Sequence, residues 1–349
     1  MGSATVFYSW QSDLPPNVTR SFIERCLEKA CARIGAELAC DLVIDQDGRG
    51  EGGSPAIPDV IQRKIQTAVA FVADLSIVQK RPGGGGLTNG CVAIEWGWAE
   101  QALGSEAMIG VMNGAFGSQS DLPIDIRQNL VRASYTLLPT ADDEERKRVR
   151  DELTEEVVNG LKCALHGRFY DGIHPESPQL LASVVKASAH GLPTEYFELD
   201  QLASEHGLAK DTIEAIAEDL ERLGLANLKR SLGRRPQVQF SPKLFVRFDP
   251  LYMGWSADRD SITVAQYLVA NGSTRLDKYA DVVEWPPRRL NPAISRLITN
   301  GLVLDSKISA PDQPFIRIQI NRNERTRAFA EGRLRVPSAL DRIAPAVWG

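Results

Sequence analysis

The segment Asn89-Gly90-Cys91-Val92-Ala93-Ile94-Glu95-Trp96-Gly97-Trp98-Ala99 places one carboxylate, Glu95, just inside a helix-forming stretch that follows a glycine-rich loop. All four histidines of the 349-residue chain lie at or beyond His166. Residues 1–165 must therefore do any chemistry with carboxylates, hydroxyls and backbone dipoles. That excludes a Ser-His-Asp or Cys-His mechanism in this half and speaks against a His-ligated zinc site. No metal site is expected. A carboxylate working without histidine suits cleavage of a glycosidic bond, whose transition state is an oxocarbenium cation. Asn89-Gly90 ends a loop and begins a helix, so Glu95 is expected in about the first turn. There the helix N-terminus favours the ionised form by ~0.3–1 kcal/mol. An anionic carboxylate beside a ribose can stabilise the cationic sugar or attack it. The competing reading is an ordinary solvated helix glutamate.

The elements that must position Glu95 alternate. Ala4–Tyr8, Leu42–Ile44, Val69–Leu75 and Ala107–Met112 are short apolar runs that predict strands. Asn17–Ile34, Pro58–Ala68 and Val92–Leu103 carry helical spacing between them. Such alternation predicts an α/β fold, a flavodoxin-like parallel sheet with helices on both faces. Ligands of these sheets bind outside the carboxyl ends of the strands. The loop Ser9-Trp10-Gln11-Ser12-Asp13, Asp45, Asp74 and Asn113 all fall at such ends.

Around Glu95 this nominates a binding set. Tyr8 and Trp10 could stack on a ring, or pack in the core. Ser9 and Ser12 could bond ribose or phosphate, or cap a helix. Asp45 could hold a ribose hydroxyl or form a turn, and Asp74 closes an apolar strand as a binding candidate. Asn89 opens the Glu95 helix. Gly48-Arg49-Gly50-Glu51-Gly52-Gly53 satisfies GxGxxG, but it follows the second strand, and Asp45 and Asp47 would repel a pyrophosphate. It reads as a flexible loop. Pro82–Gly86 lacks the Gly-Lys-Ser/Thr ending of a P-loop and is expected to be mobile, without regular structure.

Composition bounds the rest. Apolar content of 43% and charged content of 24% are those of an ordinary globular protein. No apolar run approaches a membrane span, no basic leader precedes Thr5-Val6-Phe7-Tyr8, and the five cysteines form no CxxC. A reducing cytoplasm and no membrane partner are expected. Residues 201–349 carry 22 Lys and Arg against 17 Asp and Glu, whereas the first 200 carry 18 against 28. The two parts therefore have separate roles.

The rear half contains two similar units. In the first, helices Leu199–His206 and Lys210–Leu223 precede strand Leu225–Lys229, a basic tip Ser231–Pro236 and a returning strand Gln237–Phe240. In the second, helices Ile262–Asn271, Leu276–Val283 and Pro287–Asn300 precede a wing at Val303–Ser309 and Phe315–Ile320. Helix-turn-helix plus wing, twice, resembles tandem winged-helix domains, an α+β region. The expected organisation is an α/β domain at 1–140, a helical connector and hinge at 141–193, winged-helix domains at 194–256 and 257–335, and a tail at 336–349. Lys229-Arg230, Arg234-Arg235 and Arg288-Arg289 favour a nucleic-acid partner. The acidic helix bearing Asp211, Glu214, Glu218, Asp219 and Glu221 opposes one and favours a scaffold or sensor role.

Four segments carry a family resemblance: Phe7–Asp13, Gly53-Ser54-Pro55-Ala56-Ile57, Phe71-Val72-Ala73-Asp74 and Asn89–Ala99. In this order they resemble the bacterial TIR-like (Toll/interleukin-1 receptor-like) domains of the nucleotide-binding branch, over about the first 140 residues. The resemblance implies cleavage of the nicotinamide–ribose bond of NAD, which enters as substrate with no cofactor, in antiphage defence. The family's Asn-x-x-Val-x-x-Glu-x-Gly segment maps onto Asn89, Val92, Glu95 and Gly97, making Glu95 the catalytic residue. Trp96 and Trp98 are mild departures. The resemblance further implies that Asp47–Ser54 is the mobile assembly loop and that activation brings homo-oligomers together. Nucleoside deoxyribosyltransferases have a similar segment, Gly-Thr-Ala-x-Glu-x-Gly-Tyr-Ala, against Gly90–Ala99. A third alternative is a nucleotide-responsive regulator without catalysis.

Overall fold

In a computed structural model, the chain is described over residues 2–47, 57–82, 84–127, 131–191, 196–231, 235–305 and 314–336. The GxGxxG loop, Arg234, residues 306–313 of the second wing and the tail beyond 336 lie outside the described residues. Ser3–Asp171 form one compact unit, and Gly172 onward, with the first two residues, another.

The first unit is built on a five-stranded sheet. Strands β1 (Ala4–Ser9), β2 (Leu42–Asp45) and β3 (Ala70–Asp74) are followed by a two-residue hairpin, β4 (Gln79–Lys80) and β5 (Gly86–Leu87), then by β6 (Met108–Asn113) and β7 (Val131–Tyr135). The sheet order is β2-β1-β3-β6-β7 and every pair is parallel. Chain order reverses direction between β1 and β3, which makes their carboxyl ends the topological switch point. Helices α1 (Arg20–Leu38) and α5 (Asp143–Leu165) pack together on one face, and α2 (Ile57–Thr67) and α3 (Gly90–Leu103) on the other; α4 (Ile124–Arg127) is a single turn. Residues covered on both faces must be apolar throughout, and Val6, Phe7, Tyr8 and all of Ala70–Ala73 are at most 1% exposed.

Three expectations are corrected here. Asp143–Leu165 is no connector but the second helix on the α1 face. It buries Val149, Leu153 and Val157, and flanks them with the Lys29–Asp151 and Arg33–Glu155 pairs. Gly160 lets it approach the sheet, because a Cβ there would sit 3.3 Å from Ile109. The boundary falls at Asp171/Gly172, and the expected hinge carries a helix, α6 (Pro178–Ala187), with Leu180, Leu181 and Val185 buried. Gly84 and Gly85 of the Pro82–Gly86 run likewise lie at the tip of the β4–β5 hairpin, and Gly83 is outside the described residues. Gly84 and Gly85 supply the positive φ of the turn, and Gly86 belongs to the strand itself.

The second unit repeats one element order: helix, strand, two helices, two strands. It runs as α6, β8 (Phe197–Glu198), α7 (Leu199–His206), α8 (Lys210–Arg222), β9 (Ala226–Lys229) and β10 (Gln237–Phe240). After a linking helix α9 (Pro242–Tyr252) it recurs as α10 (Ala257–Asn271), β11 (Ser273–Arg275), α11 (Leu276–Val283), α12 (Pro287–Thr299), β12 (Val303–Asp305) and β13 (Gln319–Arg322), closed by α13 (Glu324–Ala330). Each copy ends in a three-stranded antiparallel sheet, β8-β10-β9 and β11-β13-β12. The short first strands β8 and β11, and α9 and α13, have no counterpart among the sequence expectations.

Candidate functional site

Side chains alternate across a strand, so β1 sends Phe7 and Ser9 toward α2 and α3, and Tyr8 toward α1 and α5. Phe7 joins Phe71, Val92 and Trp96 in the core under α3. Ser9, the last residue of β1, is 1% exposed, and its Oγ donates to Glu95 Oε2 at 2.5 Å. Strand and helix thus deliver a hydroxyl and a carboxylate to one point at the carboxyl edge of the sheet, beside the switch point.

Glu95 is not in the first turn. Asn89 is the cap, its Oδ1 accepting from the amides of Cys91 at 2.8 Å and Val92 at 3.3 Å, so Glu95 sits one turn deeper. The dipole's influence fades within that first turn, and burial dominates instead. Burial raises the Glu95 carboxyl above glutamate's ordinary value, and the Ser9 hydrogen bond opposes the rise. The expected stabilisation of the anion by the helix end is therefore overturned. Ser9 is the polar group that favours the ionised form.

The remaining candidates separate. Asn89 reaches the site's rim as well as capping α3, since its Nδ2 donates to Asp13 Oδ2 at 2.6 Å. Ser12 is exposed on the same β1–α1 loop. Trp10 is half-buried there, with the Arg20 guanidinium 3.3 Å above its ring. Tyr8 is 0% exposed and donates to the Arg20 carbonyl at 3.2 Å; it packs in the core on the face away from Glu95 and offers no ring face to a ligand. Asp45 pairs with Lys64 Nζ at 2.8 Å and accepts from the Gln46 amide, at the end of edge strand β2. Asp74 is 0% exposed on the α1 face, so its position as a ligand contact is corrected to an internal anchor. Its Oδ1 accepts from the Ser76 amide and its Oδ2 from Gln11 Nε2. Asn113 similarly ties the Val18 and Leu137 backbone together.

Gln11 is the residue that reading the sequence missed. It is 2% exposed, and its side chain bonds both the Asp74 carboxylate and the Asp13 and Leu14 amides. A glutamine two residues past a strand carries no spacing signal, because its importance depends on Asp74, 63 positions away.

A cleft of about 530 Å³ lies elsewhere, at the ends of β6 and β7 against α5, with Ser118, Ser134, Thr136, Arg148 and Glu152 in its lining. Arg148 and Glu152 pair with one another, and Glu156 accepts from the Ser134 amide. The charged side chains of this cleft are thus engaged with one another or with backbone, and none of them meets a hydroxyl at a strand end as Glu95 meets Ser9. Among the described residues no cluster of His, Cys, Asp or Glu could hold a metal ion, and no helix is long and apolar enough to cross a membrane.

In the second unit the basic residues are engaged. Arg288 is 5% exposed and makes a two-pronged pair with Asp249, at 2.8 and 2.6 Å. Arg289 does the same with Asp260, and Arg296 pairs with Asp258. Arg230 pairs with Glu218 on the acidic helix α8, and Arg235 with Glu198. At the Arg288-Arg289 start of α12, offered by the sequence as a nucleic-acid contact, Arg288 is thus buried and Arg289 half-buried against Asp260. No protein-family model matches the chain, and no curated protein is significantly similar to it.

Proposed function

We propose that residues 3–171 are a TIR-like domain that cleaves the N-glycosidic bond of NAD, acting as an effector of bacterial antiphage defence. The observation that carries the reading is the Ser9–Glu95 hydrogen bond at the carboxyl edge of the sheet. In this reading the ionised Glu95 faces the anomeric carbon of the nicotinamide ribose. The C–N bond breaks with its electron pair passing to the pyridinium nitrogen, so nicotinamide leaves neutral and needs no general acid. The resulting oxocarbenium ion is held by the carboxylate and captured by water, whose proton passes to Glu95 or solvent. A site without histidine suffices for every step. Domain assembly, as in the family it resembles, would complete the site and switch it on.

The rear half, in the same reading, is a pair of winged-helix-like modules that act as a scaffold or sensor. The repeated helix–strand–helix–helix–strand–strand order supports this. The engagement of Arg230, Arg235, Arg288 and Arg289 in ion pairs favours a protein partner over duplex DNA.

Incubating the purified full chain with NAD, with and without a crowding agent to drive assembly, tests the activity. Release of nicotinamide and ADP-ribose is expected. Release of free base from deoxynucleosides, with NAD untouched, would instead place the chain with the deoxyribosyltransferases. Nucleotide binding without turnover under both conditions would make it a sensor and defeat the catalytic reading.

The pH profile adds a second expectation. Glu95 must be ionised, so turnover falls in acid through its raised value. Ser9→Ala removes the bond that opposes the rise, so the acid limb of kcat should move to higher pH while the alkaline plateau changes less. An unmoved limb would separate Ser9 from the ionisation of Glu95.

A further inference from the structure

The β1–α1 loop leaves the sheet at Ser9, and Asp13 on it meets Asn89 at the start of the Glu95 helix. Something must hold so polar a loop in one shape. Gln11 lies within it, 2% exposed, its Oε1 accepting from the amides of Asp13 at 2.7 Å and Leu14 at 3.0 Å. Its Nε2 donates to Asp74 Oδ2 at 3.1 Å, and Asp74 Oδ1 accepts from the Ser76 amide at 3.0 Å. Every polar atom of this link has a partner of the right kind, and both side chains are buried, where an unmade bond is costly. Serving loop amides on one side and an internal carboxylate on the other makes Gln11 more than packing.

We propose that Gln11 is a positioning residue for the Glu95 site, bracing the β1–α1 loop against Asp74 so that Asp13 stays on Asn89 and Ser9 on Glu95. The inference rests on the reading of Glu95 as the reacting carboxylate. Donor and acceptor roles make it testable by exchange. Gln11→Glu alone puts two carboxylates against each other. Asp74→Asn alone sets two amide donors face to face. Together the two changes restore the link in reverse: Asn at 74 donates to Glu at 11 and still accepts from the Ser76 amide, while Glu at 11 still accepts from Asp13 and Leu14.

The charged groups around Asp74 do not obscure the exchange. Tyr8 on β1 and Tyr135 on β7 face it, and burial holds both phenols well above their ordinary value, so they stay neutral. Arg20 and Glu24 reach Tyr8 from α1 with opposite charges.

Two readouts on the full chain test the proposal. In Gln11→Glu near pH 8, amide exchange at Asp13 and Leu14 should accelerate at least about tenfold, as a net loss of ~1.5 kcal/mol for a bond to a charged group implies. NAD turnover should fall by a similar factor, mainly in kcat. Lowering the pH toward 6 should recover exchange protection and narrow the turnover deficit relative to wild type, because one shared proton supplies the missing donor. The double variant should recover both at every pH. Wild-type exchange and wild-type turnover in folded Gln11→Glu would overturn the proposal, as would a double variant no better than the singles. Absence of turnover in the wild-type chain would sink the proposed activity, while the exchange data still decide whether Gln11 braces the loop. Should Gln11→Glu not fold, Gln11→Met tests the same loss without a charge, and unchanged exchange there is the overturning result.

Discussion

Glu95→Gln is expected to lower NAD turnover by at least about 10³-fold while leaving NAD binding within a few-fold. The amide keeps the shape and still accepts from Ser9, so only the negative charge that answers the developing oxocarbenium is lost, and such terms act in the transition state. Glu95→Asp should lose about 10²-fold, because drawing the carboxylate back by one methylene leaves it misplaced by more than 1 Å and out of reach of Ser9. Equal rates for Glu95→Gln and the wild type would remove Glu95 from the mechanism.

The same variant carries a stability signature of opposite sign. Glu95 holds its proton more tightly folded than unfolded. Its favourable contribution is therefore fully present below glutamate's ordinary 4.5 and is lost as pH rises through the raised folded value. A neutral glutamine escapes that loss. Glu95→Gln should melt above the wild type at pH 8, with the difference vanishing in acid. Scanning calorimetry at the two pH values checks it. Higher stability with lower activity is the mark of a group buried for chemistry and not for folding.

The second large effect lies in the other unit. Arg288→Ala is expected to destabilise residues 172–336 by about 3–5 kcal/mol near neutral pH. Asp249 would be left a buried carboxyl, 2% exposed, with neither of its two guanidinium bonds. Arg288 also donates to the Val185 carbonyl and lies over Phe245, so it knots α6, α9 and α12 together. Burial already pushes the Asp249 carboxyl up to about 6 despite Arg288. Removing the arginine raises it further, so the variant's deficit should shrink as pH falls and the carboxyl takes up a proton. Combining Arg288→Met with Asp249→Leu removes both charges and should recover much of the loss, since a buried pair is often replaceable by apolar groups. Two transitions are expected in calorimetry, one per compact unit, and the change should fall in one of them. An unshifted transition for residues 172–336 in Arg288→Ala would show that the pair contributes nothing.

Much of the first unit was legible in one dimension. Strand and helix periodicity depend on neighbours a few residues apart. Apolar runs at Ala4–Tyr8, Val69–Leu75 and Ala107–Met112 therefore marked strands to within a residue or two of their observed ends. Parallel pairing followed from the helices between them. The helical character of the segment after residue 141 was also legible, and its capping aspartate and acidic first turn start α5 at Asp143. Its role was not: a charged exposed face looks the same on a connector as on a helix that buries its other face against α1. The Pro82–Gly86 run misled because glycine permits a tight hairpin as readily as it permits disorder.

The site divides along the same line. Residue types and local spacing nominated Glu95, Ser9 and Asn89 and put Ser9 at the carboxyl end of a strand. They could not say that Ser9 and Glu95, 86 positions apart, would share a hydrogen bond, while Tyr8, one residue from Ser9, would face the opposite side. Strand pleat and packing assign those directions. Nor could local spacing weigh burial against the helix dipole at Glu95, or turn Asp74 from a ligand contact into the anchor of Gln11. Identity and spacing are carried by the chain; orientation, burial and partnership arise where distant segments meet, and these set the charge and the reach of each group.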